Sequence, residues 1–145
     1  MLSDYLKNNI QFLDSVSSWE ESIQIGAAPL LTKNKITSEY VQEMISNVNE
    51  NGPYIVIVPG IAMPHAQNQG SVLETGISLL NLKEPVLYPE NKEVRTIIVL
   101  AAEDSEGHLE LISDLSSVLI DESTMNEFKN AQSENEILEL LDREE

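Results

Sequence analysis

The chain has 145 residues, 41% of them hydrophobic, with eight basic residues against 25 acidic ones and a formal charge of −17. That length predicts one domain over residues 1–145, and the apolar content excludes a disordered chain, while the absence of cysteine excludes disulfides, thiolate metal sites and thiol nucleophiles. The acidity argues against nucleic acid and anionic membranes as partners; it either draws a basic protein partner or only keeps the chain in solution.

In chain order, Leu2 to Asn8 reads as a short helix capped by Ser3, and Ile10 to Val16 as a first strand. Ser18-Trp19-Glu20-Glu21 has the pattern in which a serine and a glutamate satisfy each other's orphan backbone donors, so a helix opens there. Trp19, Ile23, Gly26, Ala27, Leu30 and Leu31 share one face of it, with Trp19 read as a core anchor. Pro29 is expected to kink that helix or end it near Ala28. A second helix begins at Thr37 or Ser38, buries Tyr40, Val41, Met44, Ile45 and Val48, and ends at Asn51-Gly52-Pro53. Ile55 to Val58 then reads as a strand buried on both faces, stopped by Pro59-Gly60 and followed by a loop that delivers His65. Gly76 to Leu82 is a further strand, Pro85 to Tyr88 an edge segment or turn, and Val94 to Ala102 a second strand apolar on both faces. The loop Glu103 to Gly107 leads to His108 and a helix with Leu109, Ile112, Leu115, Ser116 and Leu119 on one side. Ser123 or Thr124 starts a short helix, Ser133-Glu134-Asn135-Glu136 caps the last one, and the tail Asp142 to Glu145 is expected to fray. Alternating strands and helices predict an α/β fold: a central mixed sheet with helices on both faces. No apolar run reaches membrane-spanning length and the N-terminus lacks a signal-peptide pattern, which fits a cytoplasmic protein without membrane insertion.

His65 and His108 are the only histidines, and each follows a strand read as buried on both faces. If those strands are neighbours, the two rings converge at one sheet edge, where open α/β sheets place their chemistry. A neutral imidazole with one nitrogen tied as a donor is a competent nucleophile. A helix end beside His108 disfavours the imidazolium and offers backbone donors to an anion. Such a pair could relay a phosphoryl group without a metal, because that transfer needs placement and charge stabilisation. Two other readings stay open. The histidines are ordinary loop residues with satisfied hydrogen bonds, or they bind a metal with Glu103, Asp104 or Glu106. A serine hydrolase is unsupported without G-x-S-x-G, and no phosphate-loop or dinucleotide fingerprint is present, so no cofactor is expected.

Gly60-Ile61-Ala62-Met63-Pro64-His65-Ala66 resembles the phosphorylation motif of the IIA components of the bacterial sugar phosphotransferase system (PTS), mannitol/fructose class. Gly107-His108-Leu109-Glu110-Leu111-Ile112 resembles the second active-site histidine of that family. The likeness runs from Trp19 to Leu141, and Gly52 to His65 is most similar to the ascorbate-type branch. The resemblance implies a mixed sheet flanked by helices and a phosphotransferase with a phosphohistidine intermediate. It implies that His65 accepts phosphate from the carrier HPr and passes it to a cysteine of a IIB partner, which feeds a membrane IIC transporter. His108 would support the phosphorylated ring without carrying the phosphate. Mannitol-type members have an arginine shortly before the motif strand. Here Ser46-Asn47-Val48-Asn49-Glu50-Asn51 has none, and Ala66 stands where glycine is common. The departure fits the ascorbate-type branch or a regulatory relative that feeds no transporter.

Overall fold

The computed structural model describes residues 2–144. Five strands, β1 (Ile10–Leu13), β2 (Val56–Val58), β3 (Gly60–Ala62), β4 (Gly76–Tyr88) and β5 (Lys92–Ala101), form one sheet in the order β1-β4-β5-β3-β2. It is mixed: β1 runs parallel to β4 and β3 parallel to β5, whereas the β4/β5 and β2/β3 pairs are antiparallel. Six helices surround it: α1 (Leu2–Leu6), α2 (Trp19–Thr32), α3 (Ser38–Asn51), α4 (Ser105–Leu119), α5 (Glu122–Asn130) and α6 (Glu134–Glu144).

The alternation of side chains along the central strands divides the core in two. Ile97, Val99 and Ala101 of β5 pack with Ile23, Ala27 and Leu30 of α2 and Tyr40, Met44 and Val48 of α3. Ile98 and Leu100 face the other way, against Leu111 and Leu115 of α4, Phe128 of α5 and Ile137 and Leu141 of α6. Helices thus cover both faces, as the pattern of the chain predicts. Trp19 is half-buried and packs on Tyr88, ring centroids 5.7 Å apart.

Several expectations are corrected. Val56, Ile57 and Val58 are only half-buried, because β2 is the sheet edge rather than a central strand. Pro59-Gly60 does not open a loop. Gly60 adopts φ +86°, a conformation costly for other residues, and turns the chain into the hairpin whose second strand is β3. Gly76–Tyr88 is one strand, and a register irregularity between Asn81 and Val86 accommodates Pro85, which has no donor for the ladder. β1 stops at Leu13, short of Val16. Ser3 lies inside α1 instead of capping it, and Asp121 rather than Ser123 or Thr124 caps α5, accepting from Thr124 N–H at 2.9 Å. Asp142 and Arg143 are helical, with Arg143 bonded to Glu127 at 2.5 Å; Glu145 lies outside the described residues.

Pro29 neither ends nor interrupts α2. A proline removes the N–H that the carbonyl four residues earlier would accept. That carbonyl belongs to Ile25, and Gln11 Nε2 of β1 donates to it at 2.7 Å. A side chain from the sheet therefore replaces the missing helix bond. The cap at Ser18 forms as expected, with its hydroxyl accepting from Glu21 N–H at 3.1 Å, and the Glu21 carboxylate accepting from Ser17 N–H at 2.9 Å.

Candidate functional site

β3 and β5 are adjacent and parallel, so their C-terminal ends lie side by side. His65 comes three residues after β3, and His108 lies in the first turn of the helix that follows β5. This topology brings the two rings together, with centroids 5.0 Å apart and planes at 62°. Both side chains are half-buried.

The loop carrying His65 is held at several points. Met63 N–H donates to Ile55 O at 2.8 Å, and Leu100 N–H donates to Pro64 O at 3.0 Å. The Tyr40 hydroxyl accepts from Ala66 N–H at 3.0 Å and donates to Leu100 O at 2.6 Å. One buried phenol thus ties the residue after His65 to the end of β5. Burial pushes its pKa far up, so it remains a neutral donor. Sequence reasoning placed Tyr40 in the apolar stripe of α3 and missed this role; the available signal was that a fully buried tyrosine hydroxyl needs partners.

His65 Nδ1 lies 2.6 Å from Met63 O. A carbonyl only accepts, so the hydrogen resides on Nδ1 and the Nε2 lone pair is free. Burial lowers the His65 pKa; the Met63 bond opposes that shift, and repulsion from His108 adds to it. Burial also lowers the pKa of His108. Both shifts favour neutral imidazole. Tyr54 meets His65 edge-on, centroids 5.9 Å apart at 90°, while Asn47 lies against its hydroxyl. Tyr54 reads in the sequence as a residue ahead of a strand, with nothing to mark its place against the ring.

The helix end beside His108 uses part of its donors within the chain. α4 opens at Ser105, and the Asp104 carboxylate accepts from Gly107 N–H at 2.7 Å, while His108 N–H is held by Asp104 O at 3.0 Å. These two amides, of Gly107 and His108, are thus used within the chain. The acidic loop is engaged in the same way: Glu103 accepts from Thr75 N–H at 3.2 Å. Among the described residues no three His, Asp or Glu side chains gather as a metal site. Arg95 is at the opposite end of β5, bonded through Nε to Leu82 O at 3.2 Å, so it does not stand in for the arginine missing before β2.

A histidine pair at the shared end of two parallel strands, with one ring nitrogen tied to a carbonyl, is an arrangement able to accept and pass on a phosphoryl group. Residues 5–144 match the family described as "Phosphoenolpyruvate-dependent sugar phosphotransferase system, EIIA 2", and the chain belongs to that family. Its members are phosphotransferase components that carry a phosphohistidine intermediate in sugar transport. The chain is similar to the solution structure of the mannitol-specific cryptic phosphotransferase enzyme IIA from Escherichia coli, at 35% identity over 98% of each chain and a TM-score of 0.90. The ascorbate-specific PTS system EIIA component of Escherichia coli K12 is 33% identical, over 98% of this chain and 96% of that protein. A complex of the Escherichia coli mannitol enzyme IIA with phosphorylated mannitol enzyme IIB aligns at 29% identity and a TM-score of 0.82, over 93% of this chain and 94% of the other. Among the described residues no helix is long and apolar enough to cross a membrane.

Proposed function

We propose that residues 1–145 act as one cytoplasmic EIIA unit in which His65 is the phosphoryl carrier and His108 its support. His65 Nε2 attacks the phosphorus held by phosphorylated HPr. The new N–P bond forms as the bond to the HPr histidine breaks, and the hydrogen stays on Nδ1, which keeps donating to the Met63 carbonyl. The group then leaves Nε2 for the cysteine sulfur of a IIB partner serving a membrane IIC transporter. The observation that carries this reading is the Nδ1 contact to Met63 O at 2.6 Å, which commits the ring to one tautomer with Nε2 free. The IIB partner is supported by the relative solved as a IIA–IIB complex. An ascorbate-type substrate is supported by the stretch Gly52 to His65 and by the ascorbate-specific relative.

Incubation with phosphoenolpyruvate, enzyme I and HPr, read by mass spectrometry, tests the assignment. The unmodified protein gains one phosphoryl group and passes it to IIB. His65→Ala gains none, and His108→Ala is labelled more slowly or holds the label more briefly. Full labelling of His65→Ala contradicts the reading. Labelling with no transfer to IIB would leave a regulatory phosphoprotein instead.

A further inference from the structure

At the other end of the sheet, roughly 20 Å from the histidines by the six-residue span of β5 from Arg95 to Ala101, the charge of the molecule reverses. Two adjoining open cavities of about 740 and 680 Å³ share Arg95, Lys129 and Asn130 in their walls. Lys83 lines the first and Lys92 the second. Four of the eight basic residues of the chain therefore surround one depression, with only Asp14 and Glu93 among the lining carboxylates. The other four basic residues share the rest of the molecule with the remainder of its 25 acidic residues.

Among the described residues, none of these four cations forms an ion pair, although Lys35 pairs with Glu74 and Arg143 with Glu127. Arg95 is half-buried and spends only Nε, on Leu82 O, which anchors the guanidinium and leaves its outer nitrogens unpartnered. Lys129 reaches across the β2–β3 hairpin to Pro59 O at 3.2 Å. It crosses directly over Gly60, where a Cβ would stand 2.8 Å from Lys129 Cδ. The floor is also prepared. The C-terminus of α5 would repel an anion through its free carbonyls, but buried Asn81 donates to Phe128 O and Ala131 O, both at 3.1 Å. Thr96 in turn donates to Asn81 Oδ1 at 2.5 Å, which fixes that amide.

We propose that this depression is a second, non-catalytic binding site for a small, multiply charged oxyanion, a phosphate- or carboxylate-bearing metabolite. A guanidinium fork flanked by lysines matches such groups, and the cavity volumes suit a small molecule. A solvated basic patch would need no such anchoring of Arg95 and no silencing of the helix carbonyls beneath it. The proposal does not depend on the relay reading of His65.

The test is titration of the 15N-labelled full chain with inorganic pyrophosphate in one arm and citrate in another, against sodium chloride at matched ionic strength. The expected result is saturable movement of the Leu82, Lys83, Arg95, Lys129 and Asn130 amides with at least one of the two anions. The arm that binds tighter tells phosphate from carboxylate. Arg95→Gln should weaken binding by about tenfold or more, the loss of a charge-assisted contact. Lys83→Gln, at an exposed position with no internal partner, should weaken binding without disturbing the fold. Unsaturable shifts in both arms, shifts centred on His65 and His108, or equal binding by Lys83→Gln would overturn it.

Discussion

Removing the Tyr40 hydroxyl should loosen the site from behind while leaving its chemistry intact. In Tyr40→Phe the ring remains, so no cavity opens. What is lost is the bond accepted from Ala66 N–H at 3.0 Å and the bond donated to Leu100 O at 2.6 Å. Tyr40 has no exposed surface, so water cannot readily replace its hydroxyl. A buried group left unpaired costs about 1–3 kcal/mol. Two such groups, partly relieved by local relaxation, give about 2–4 kcal/mol. At about 3 °C per kcal/mol for a chain of this size, Tm should fall by about 6–12 °C. The residue released is the immediate neighbour of His65, so labelling by phosphorylated HPr should slow by about tenfold, less than the ~100-fold that a full 1 Å misplacement can cost. The control is Tyr88→Phe, which removes a buried 2.7 Å bond to Ser22 on α2, away from the histidines. It should lower Tm by a smaller amount and leave labelling unchanged. Calorimetry and a timed labelling assay read both variants. A Tm shift below about 2 °C with unaltered labelling in Tyr40→Phe would refute the reasoning.

The lowered pKa of His65 predicts that its ring titrates below the ordinary histidine value of 6.5, followed through its imidazole C–H resonances. A midpoint above 6.5 would contradict the burial argument. The sign for stability follows. The unfolded chain takes up the proton first as pH falls below 6.5, so this contribution is whole above that value and declines as pH drops towards the folded pKa. Replacement of Gln11 by alanine should cost about 1–3 kcal/mol, because Ile25 O then lacks both Pro29's missing N–H and its substitute. In a Pro29→Ala background the same change should cost measurably less, since the helix supplies its own donor; additive effects in chemical denaturation would dismiss the link.

The sequence carried the fold where one residue type had one physical consequence. Runs such as Ile97 to Ala101, apolar at every position, demand cover on both faces, and both faces are covered. Serine-glutamate pairs at Ser18 and Ser133 announce helix starts because their bonds are local. Legibility failed where distant partners decide. Pro29 reads as a helix kink or stop until Gln11 is seen donating to the carbonyl one turn earlier. Ile55 to Val58 looks like a central strand, because its composition does not reveal that nothing pairs beyond it. The site divides in the same way. Two histidines after two strands were visible, but their approach depends on β3 and β5 being parallel neighbours, a pairing across more than thirty positions. Tyr40 was hidden because an aromatic ring satisfies the apolar stripe whether or not its hydroxyl is used. The cap of α4 was not legible because Asp104 reads as a loop acid, and it takes up one of the helix donors.

The most direct measurement is the nitrogen spectrum of the imidazoles in 15N-labelled, phosphorylated protein, which identifies both the ring and the atom bearing phosphorus. The geometry predicts phosphorus on Nε2 of His65, with Nδ1 still protonated against Met63 O and His108 unmodified. Phosphorus on His108, or on Nδ1 of His65, would contradict it.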